Sequence, residues 1–184
     1  MKNTFFSLCI FALVLTSCKK EANPYLITKN SIGLLTDSTK VKDIESIFIN
    51  DSVVKRIGGD EFTGSINDIE IFDKAGNPLL VLTPQQALDS LTTISTIKII
   101  DSKYKTEKGL NVESTFGDIK KNYKISSIQN TIKNVVVFVN DINGFFTIDK
   151  KELPAELRFD MSKQIEAIQI PDQAKIKYFM FGWN

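Results

Sequence analysis

Residues 66–83 read INDIEIFDKAGNPLLVLT, and residues 133–149 read KNVVVFVNDINGFFTID. In the first stretch, β-rich runs at Ile69–Phe72 and Leu79–Leu82 flank a run of turn-forming residues, Asp73 to Pro78. In the second, Asn143-Gly144 separates two runs of valine, phenylalanine and isoleucine. Strand-forming runs closed by such turns are the signature of β-hairpins. An antiparallel sheet is therefore the first expectation.

Working outward from the first hairpin, SVVKRI at 52–57 reads as another strand, and ISTIKIID at 94–101 as a fourth. STKVKDIESIF at 38–48 places Val41, Ile44, Ile47 and Phe48 on one helical face, with Ser38 or Thr39 positioned to cap it. Thr83-Pro84-Gln85-Gln86 combines a capping residue, a proline at the first helical position and a glutamine at the third. That combination predicts a short helix to about Leu91. Around the second hairpin, STFGDIKKNY at 114–123 puts Phe116, Ile119 and Tyr123 on one face and spaces Thr115 and Asp118 as a capping box. The chain closes on AKIKYFMFGWN, an aromatic-rich strand.

The two halves share this order, and short phrases recur. Gly33-Leu34 returns as Gly109-Leu110, Ser38-Thr39 as Ser114-Thr115, and Asp43-Ile44 as Asp118-Ile119. The expected fold class is α+β, with two tandem helix-plus-antiparallel-sheet units at 27–104 and 105–184. Gly-Leu-x-x-x-Ser-Thr running into Asp-Ile resembles the G-x-T-x-x-E-V helix start of β-lactamase inhibitor protein-like units, which also occur in small outer-membrane lipoproteins of the barrel-assembly machinery. Ser38 and Ser114 stand where that motif has glycine. The resemblance implies a helix packed on an antiparallel sheet, with tandem copies able to share a concave face. It transfers no binding residue.

Ahead of these units, residues 1–17 carry one positive charge (Lys2), an apolar run from Phe5 to Leu15 and then small residues. This is the layout of a secretory signal peptide, and the run is too short to span a bilayer. Leu15-Thr16-Ser17-Cys18 resembles the lipobox of bacterial lipoproteins. The resemblance implies acylation of Cys18, cleavage before it, and a lipidated tether at 18–26. Lys19 in place of aspartate implies the outer membrane by the sorting rule of enteric lipoproteins. CKKEAN carries one acidic residue, which leaves periplasm-facing and surface-exposed orientations both open.

Composition excludes several chemistries. The chain has no histidine, so Ser–His–Asp, Cys–His and histidine-ligated metal sites are ruled out. Cys9 belongs to the signal peptide and Cys18 to the lipid anchor, which leaves no thiol to pair. Lys plus Arg is 23 against 22 Asp plus Glu, and losing Lys2 makes the two equal. A neutral chain whose only arginines are Arg56 and Arg158 is poorly equipped for nucleic acid.

Gly58-Gly59-Asp60-Glu61-Phe62 resembles the signature loop of diguanylate cyclases, which implies nucleotide and magnesium binding. The segment between Cys18 and Gly58 is roughly half what that family places before its loop, and it lacks the family's D-x-L-T-G-L-x-N opening. The string is read as coincidence: a turn in which Gly58-Gly59 supplies positive φ and Asp60-Glu61 are solvated. Asp141, Asn143 and Gly144 match EF-hand positions three, five and six, but Val139 and Lys150 fall where ligands are needed, so a hairpin turn is expected. Phe179, Phe181 and Trp183 alternate as core positions, or as an aromatic stripe for a partner. Asp172, and Asp149 with Glu152, read as solvated acids.

No catalytic residue, cofactor or metal is expected. The leading expectation is a lipid-anchored, non-catalytic binding or scaffolding module for another envelope protein. The alternatives are a glycan hydrolase working with carboxylates alone and a small-ligand or glycan-binding lipoprotein.

Overall fold

The computed structural model describes residues 23–58, 66–159 and 162–183. The expected signal peptide, Cys18 and the Gly59–Phe62 portion of the signature string lie outside the described residues. Near the N-terminus, β1 (Leu26–Ile27), β2 (Ser31–Ile32) and β3 (Leu35–Thr36) lead into a 3-10 turn at Val41–Asp43 and the single helical turn α1 (Ile44–Ile47). Four long strands follow: β4 (Ser52–Gly58), β5 (Ile66–Phe72), β6 (Pro78–Pro84) and β7 (Ile94–Ile99). After β8 (Lys105–Thr106) and α2 (Phe116–Asn122) come β9 (Ser127–Asn130), β10 (Asn134–Val139), β11 (Gly144–Asp149) and β12 (Ile176–Gly182).

The expectation of two helix-plus-sheet units is overturned. Strands from both halves build one eight-stranded antiparallel sheet in the order β4-β5-β6-β7-β12-β11-β10-β9. The structure is 40% strand and 17% helix, and among the described residues α2 is the one helix of more than a single turn. The cause lies in the closing strand. Phe179 and Phe181 are large, apolar and on one face, and a central place in the sheet lets residues of two neighbouring strands pack beside them under the covering layer. β12 inserts between β7 and β11, pairing Phe179 with Ile99 and Phe146, and Phe181 with Ile97 and Gly144. Phe179 packs on Phe146 at 4.4 Å and on Phe181 at 4.8 Å between ring centres, and all three are buried.

One face of this sheet is the core face. Across the ladders run Val53–Ile71–Leu80–Ile99–Phe179–Phe146–Val137–Ile128 and, beside it, Lys55–Ile69–Leu82–Ile97–Phe181–Gly144–Val139. Ile27, Ile32, Leu35, Ile44, Tyr104, Leu110, Phe116 and Ile119 join these residues in a single core. A second layer, made of α1, α2 and a small sheet in the order β3-β2-β1-β8, covers that face.

Local readings fared unevenly. Both hairpins form, with Asp73 Oδ1 accepting from the Ala75 and Asn77 amides at the first turn and Asn143 left-handed at the second (φ 52°). The Thr115–Asp118 box forms too. The Thr115 amide donates to Asp118 Oδ2 at 2.8 Å, and the Asp118 amide returns to Thr115 Oγ1 at 3.4 Å.

The helix at 38–48 shrinks to one 3-10 and one α turn. Thr39 accepts from the Thr36 amide rather than capping it. No helix forms after Pro84. That residue ends β6, the Gln85 amide bonds to Thr93, and the carbonyls of Ser90 and Thr92 are claimed by the amides of Lys42 and Val41. Gly58 is also no turn residue: it ends β4 paired with Ile66, with an ordinary φ.

Candidate functional site

Among the described residues, no second layer covers the opposite face of the sheet. A single row crosses all eight strands, Val54–Glu70–Val81–Lys98–Met180–Phe145–Phe138–Ser127. Most of these side chains are half-buried by their neighbours, and Val54 and Ser127 are exposed. Strand alternation produces the arrangement. Phe145 points outward where Phe146 points into the core, and Met180 outward where Phe179 and Phe181 point inward.

The centre of the row is aromatic and soft. Phe138 and Phe145 stack at 5.8 Å between ring centres. Beside Met180, Tyr178 holds the Lys98 ammonium 4.3 Å from its ring centre. At the β7–β12 end, Ser95, Thr96, Phe138, Asn140, Asn143 and Phe145 line a groove of about 400 Å³. Gly182 lines it as well, where a Cβ would make ordinary contact with the Phe145 ring at 3.7 Å.

The carboxylates of this face are held. Asp68 and Glu70 are successive outward residues of β5, about 7 Å apart by strand rise, a separation at which a pair of acids can hydrolyse a glycoside. Arg56 donates to Glu70 at 3.0 Å, and Thr83 donates to Asp68 at 2.7 Å, so each acid is tied into the ladder across its own strand pair. The acids singled out in the sequence are dispersed. Asp149 takes Lys177 at 3.1 Å, Glu152 accepts from the Lys175 amide, and Asp172 pairs with Lys120 on α2. Asp149 lies below the ordinary carboxylate range, chiefly because the Lys151 amide donates to it and then because Lys177 does. Among the described residues, no cluster of three or more Asp, Glu, Cys or His could hold a metal ion. Asp141 and Asn143 sit in and after a 3-10 turn at Asn140–Ile142, with Gly144 beginning β11. Phe179, Phe181 and Trp183 are buried and form no exposed stripe. They take the core positions expected of them, and the alternative of a partner-binding stripe falls away. Met180 and Tyr178, which alternate with them, face outward, and strand alternation was the signal that could have found them.

No family model matches the chain, and no curated protein matches it. Among solved structures, the uncharacterized protein yfeY from Escherichia coli is similar, with a TM-score of 0.57 at 15% identity over 85% of this chain and 98% of that one. At that identity the likeness is one of fold.

Proposed function

We propose that the chain is an outer-membrane lipoprotein, anchored through Cys18, that acts without catalysis as a binding or scaffolding module for another envelope protein. The supporting observation is the uncovered sheet face. Eight strands at about 4.8 Å spacing make it roughly 34 Å wide. That is the scale of one partner's share, about 800 Å², of a standard protein interface. Its soft, aromatic centre of Met180, Phe145, Phe138 and Tyr178, rimmed by the Arg56–Glu70 pair and Thr96, matches the anatomy of such interfaces.

A photo-crosslinking residue placed at Met180 or Phe145 should give one discrete adduct in intact envelopes, and the same residue at Glu113, on the covering layer, should give none. Equal labelling at all three, or none at any, overturns the proposal. Cys18→Ala should block processing and release the protein from membranes; unchanged membrane association overturns the anchor.

The groove beside Phe138 and Phe145 favours a second reading, a small polar ligand or glycan stacked on the two rings and bonded by Asn140 and Asn143. Phe145→Ala would then weaken ligand affinity while leaving envelope adducts at Met180 intact.

A further inference from the structure

At the far end of β10 and β11 from this groove lies a cavity of about 580 Å³ lined by Ile132, Lys133, Asp149, Lys150, Lys151, Arg158, Phe159 and Lys177. Five of these side chains are cationic and one is a carboxylate. That carboxylate is already occupied: Asp149 accepts the Lys151 amide on one oxygen and Lys177 on the other. The Arg158 Nε–H is tied to the Leu153 carbonyl at 2.7 Å, which holds the guanidinium at the cavity wall.

Lys150 is the anomaly. It is only 4% exposed, and its ammonium is buried without a hydrogen-bond partner among the described residues. A buried ammonium lacking an acceptor is costly, and such groups are paired as a rule. The backbone pins it there: the Lys150 amide donates to the Lys133 carbonyl, and its carbonyl accepts from Leu153. An anionic group brought to this end of the sheet would offset that cost.

The rim says what kind of anion. Phe159 is 88% exposed and Ile132 is 75% exposed, and both line this same cavity. Single exposed apolar residues are ordinary on protein surfaces. Two that flank a cavity whose cations outnumber its one carboxylate among the described residues form an amphipathic surface of the kind that enters the headgroup region of anionic bilayers.

We propose that this cavity binds the phosphate headgroup of an anionic membrane lipid, with Lys150, Lys151, Lys133 and Arg158 on the phosphate and with Phe159 and Ile132 entering the interface. The site would hold this end of the sheet against the bilayer. It is distinct from the acyl anchor and adjoins the partner face only where Lys177 lies 5.5 Å from the Tyr178 ring centre.

The test uses the chain from residue 18 to 184 carrying Cys18→Ser, so that neither an acyl chain nor the apolar run at Phe5–Leu15 contributes. Its partition is measured onto phosphatidylcholine vesicles with and without phosphatidylglycerol. Binding should require phosphatidylglycerol. Each neutralised lysine should lower it about fivefold, so Lys133→Gln with Lys151→Gln lowers it roughly twenty-five-fold. Phe159→Ser should lower it severalfold at constant charge. Lys150→Met should lower it while leaving the thermal midpoint equal or higher. If Lys150→Met does not fold, the Lys133/Lys151 pair decides alone. Equal loss from Lys42→Gln with Lys74→Gln, remote from the cavity, shows a bulk charge effect and overturns the site. Saturable binding of inorganic phosphate without vesicle binding overturns the lipid as its source. Partition onto phosphatidylcholine alone, or onto neither vesicle, overturns the proposal as well.

Discussion

Replacing Gly33 with alanine, set against the same change at Gly109, separates two positions with matching sequence context. Both glycines precede leucine and both adopt positive φ, 58° and 84°. At Gly109 an added Cβ meets nothing within 4 Å. The cost there is the left-handed backbone alone, about 1–2 kcal/mol. At Gly33 the same atom would sit 2.2 Å from the Pro24 carbonyl oxygen and 3.2 Å from Tyr104 Cε1. Carbon–oxygen contacts normally begin near 3.3 Å, so the overlap is about 1 Å with a backbone atom. Relieving it means moving residues 24–26. That would break the Gly33 amide bond to the Leu26 carbonyl (2.8 Å) and disturb the edge-on contact of Tyr25 with Tyr104 (5.2 Å). Overpacking of about 1–3 kcal/mol, one backbone bond of about 1 kcal/mol and the left-handed strain together give roughly 3–6 kcal/mol. At about 2–4 °C per kcal/mol this lowers the melting midpoint by roughly 6–24 °C. Urea unfolding followed by far-UV circular dichroism measures both variants. If Gly33→Ala falls within about 0.5 kcal/mol of Gly109→Ala, the close approach at Pro24 is wrong.

Phe179→Ala should cost about 3–5 kcal/mol in urea unfolding, because the ring is fully buried against Phe146 in the middle of the sheet. Phe145→Ala, on the open face, should cost under about 1 kcal/mol, and a larger loss would mean that this face is packed. Thr115→Ala should cost about 1 kcal/mol by removing half of the α2 capping box. The Thr115 amide, then its hydroxyl, hold the Asp118 carboxyl below its ordinary value, so its stabilisation is present above the unfolded-state value of about 3.9 and lost as pH falls through the lower folded one. The melting difference between wild type and Asp118→Asn should therefore shrink below about pH 4, and a pH-independent difference would remove the carboxylate from the cap. Asp73, lowered chiefly by the Asn77 side chain, titrates with the same sign, so Asp73→Asn should converge on wild type in acid.

What was legible beforehand was local. The capping box at Thr115–Asp118 and both hairpins depend on side chains acting within a few residues of their own backbone, and these formed as read. The helix after Pro84 failed for a tertiary reason. Its cap-like residues are strand residues, because Leu80 and Leu82 hold β6 against β5 and β7 as far as Pro84. The carbonyls past it serve the 3-10 turn at Val41–Asp43, more than forty positions earlier in the chain.

Residue order sets which side chains alternate, where hairpins turn, where α2 starts, and which chemistries are impossible for want of histidine. It carries no direct record of which strand lies beside which. β12 pairs with β7 on one side and β11 on the other, so Phe179 and Phe181 lie in the middle of the joint sheet with residues of both halves beside them. That pairing merges the halves into one sheet, which leaves one broad face open. The sheet also brings the β9–β10 turn at Lys133 to the end of β11, and the segment beyond it carries Arg158 and Phe159 to the same place. Lys150, unremarkable among the chain's lysines, is thereby enclosed with no acceptor within reach among the described residues. A local pattern cannot disclose such a charge, because its burial is the product of residues distant in the chain.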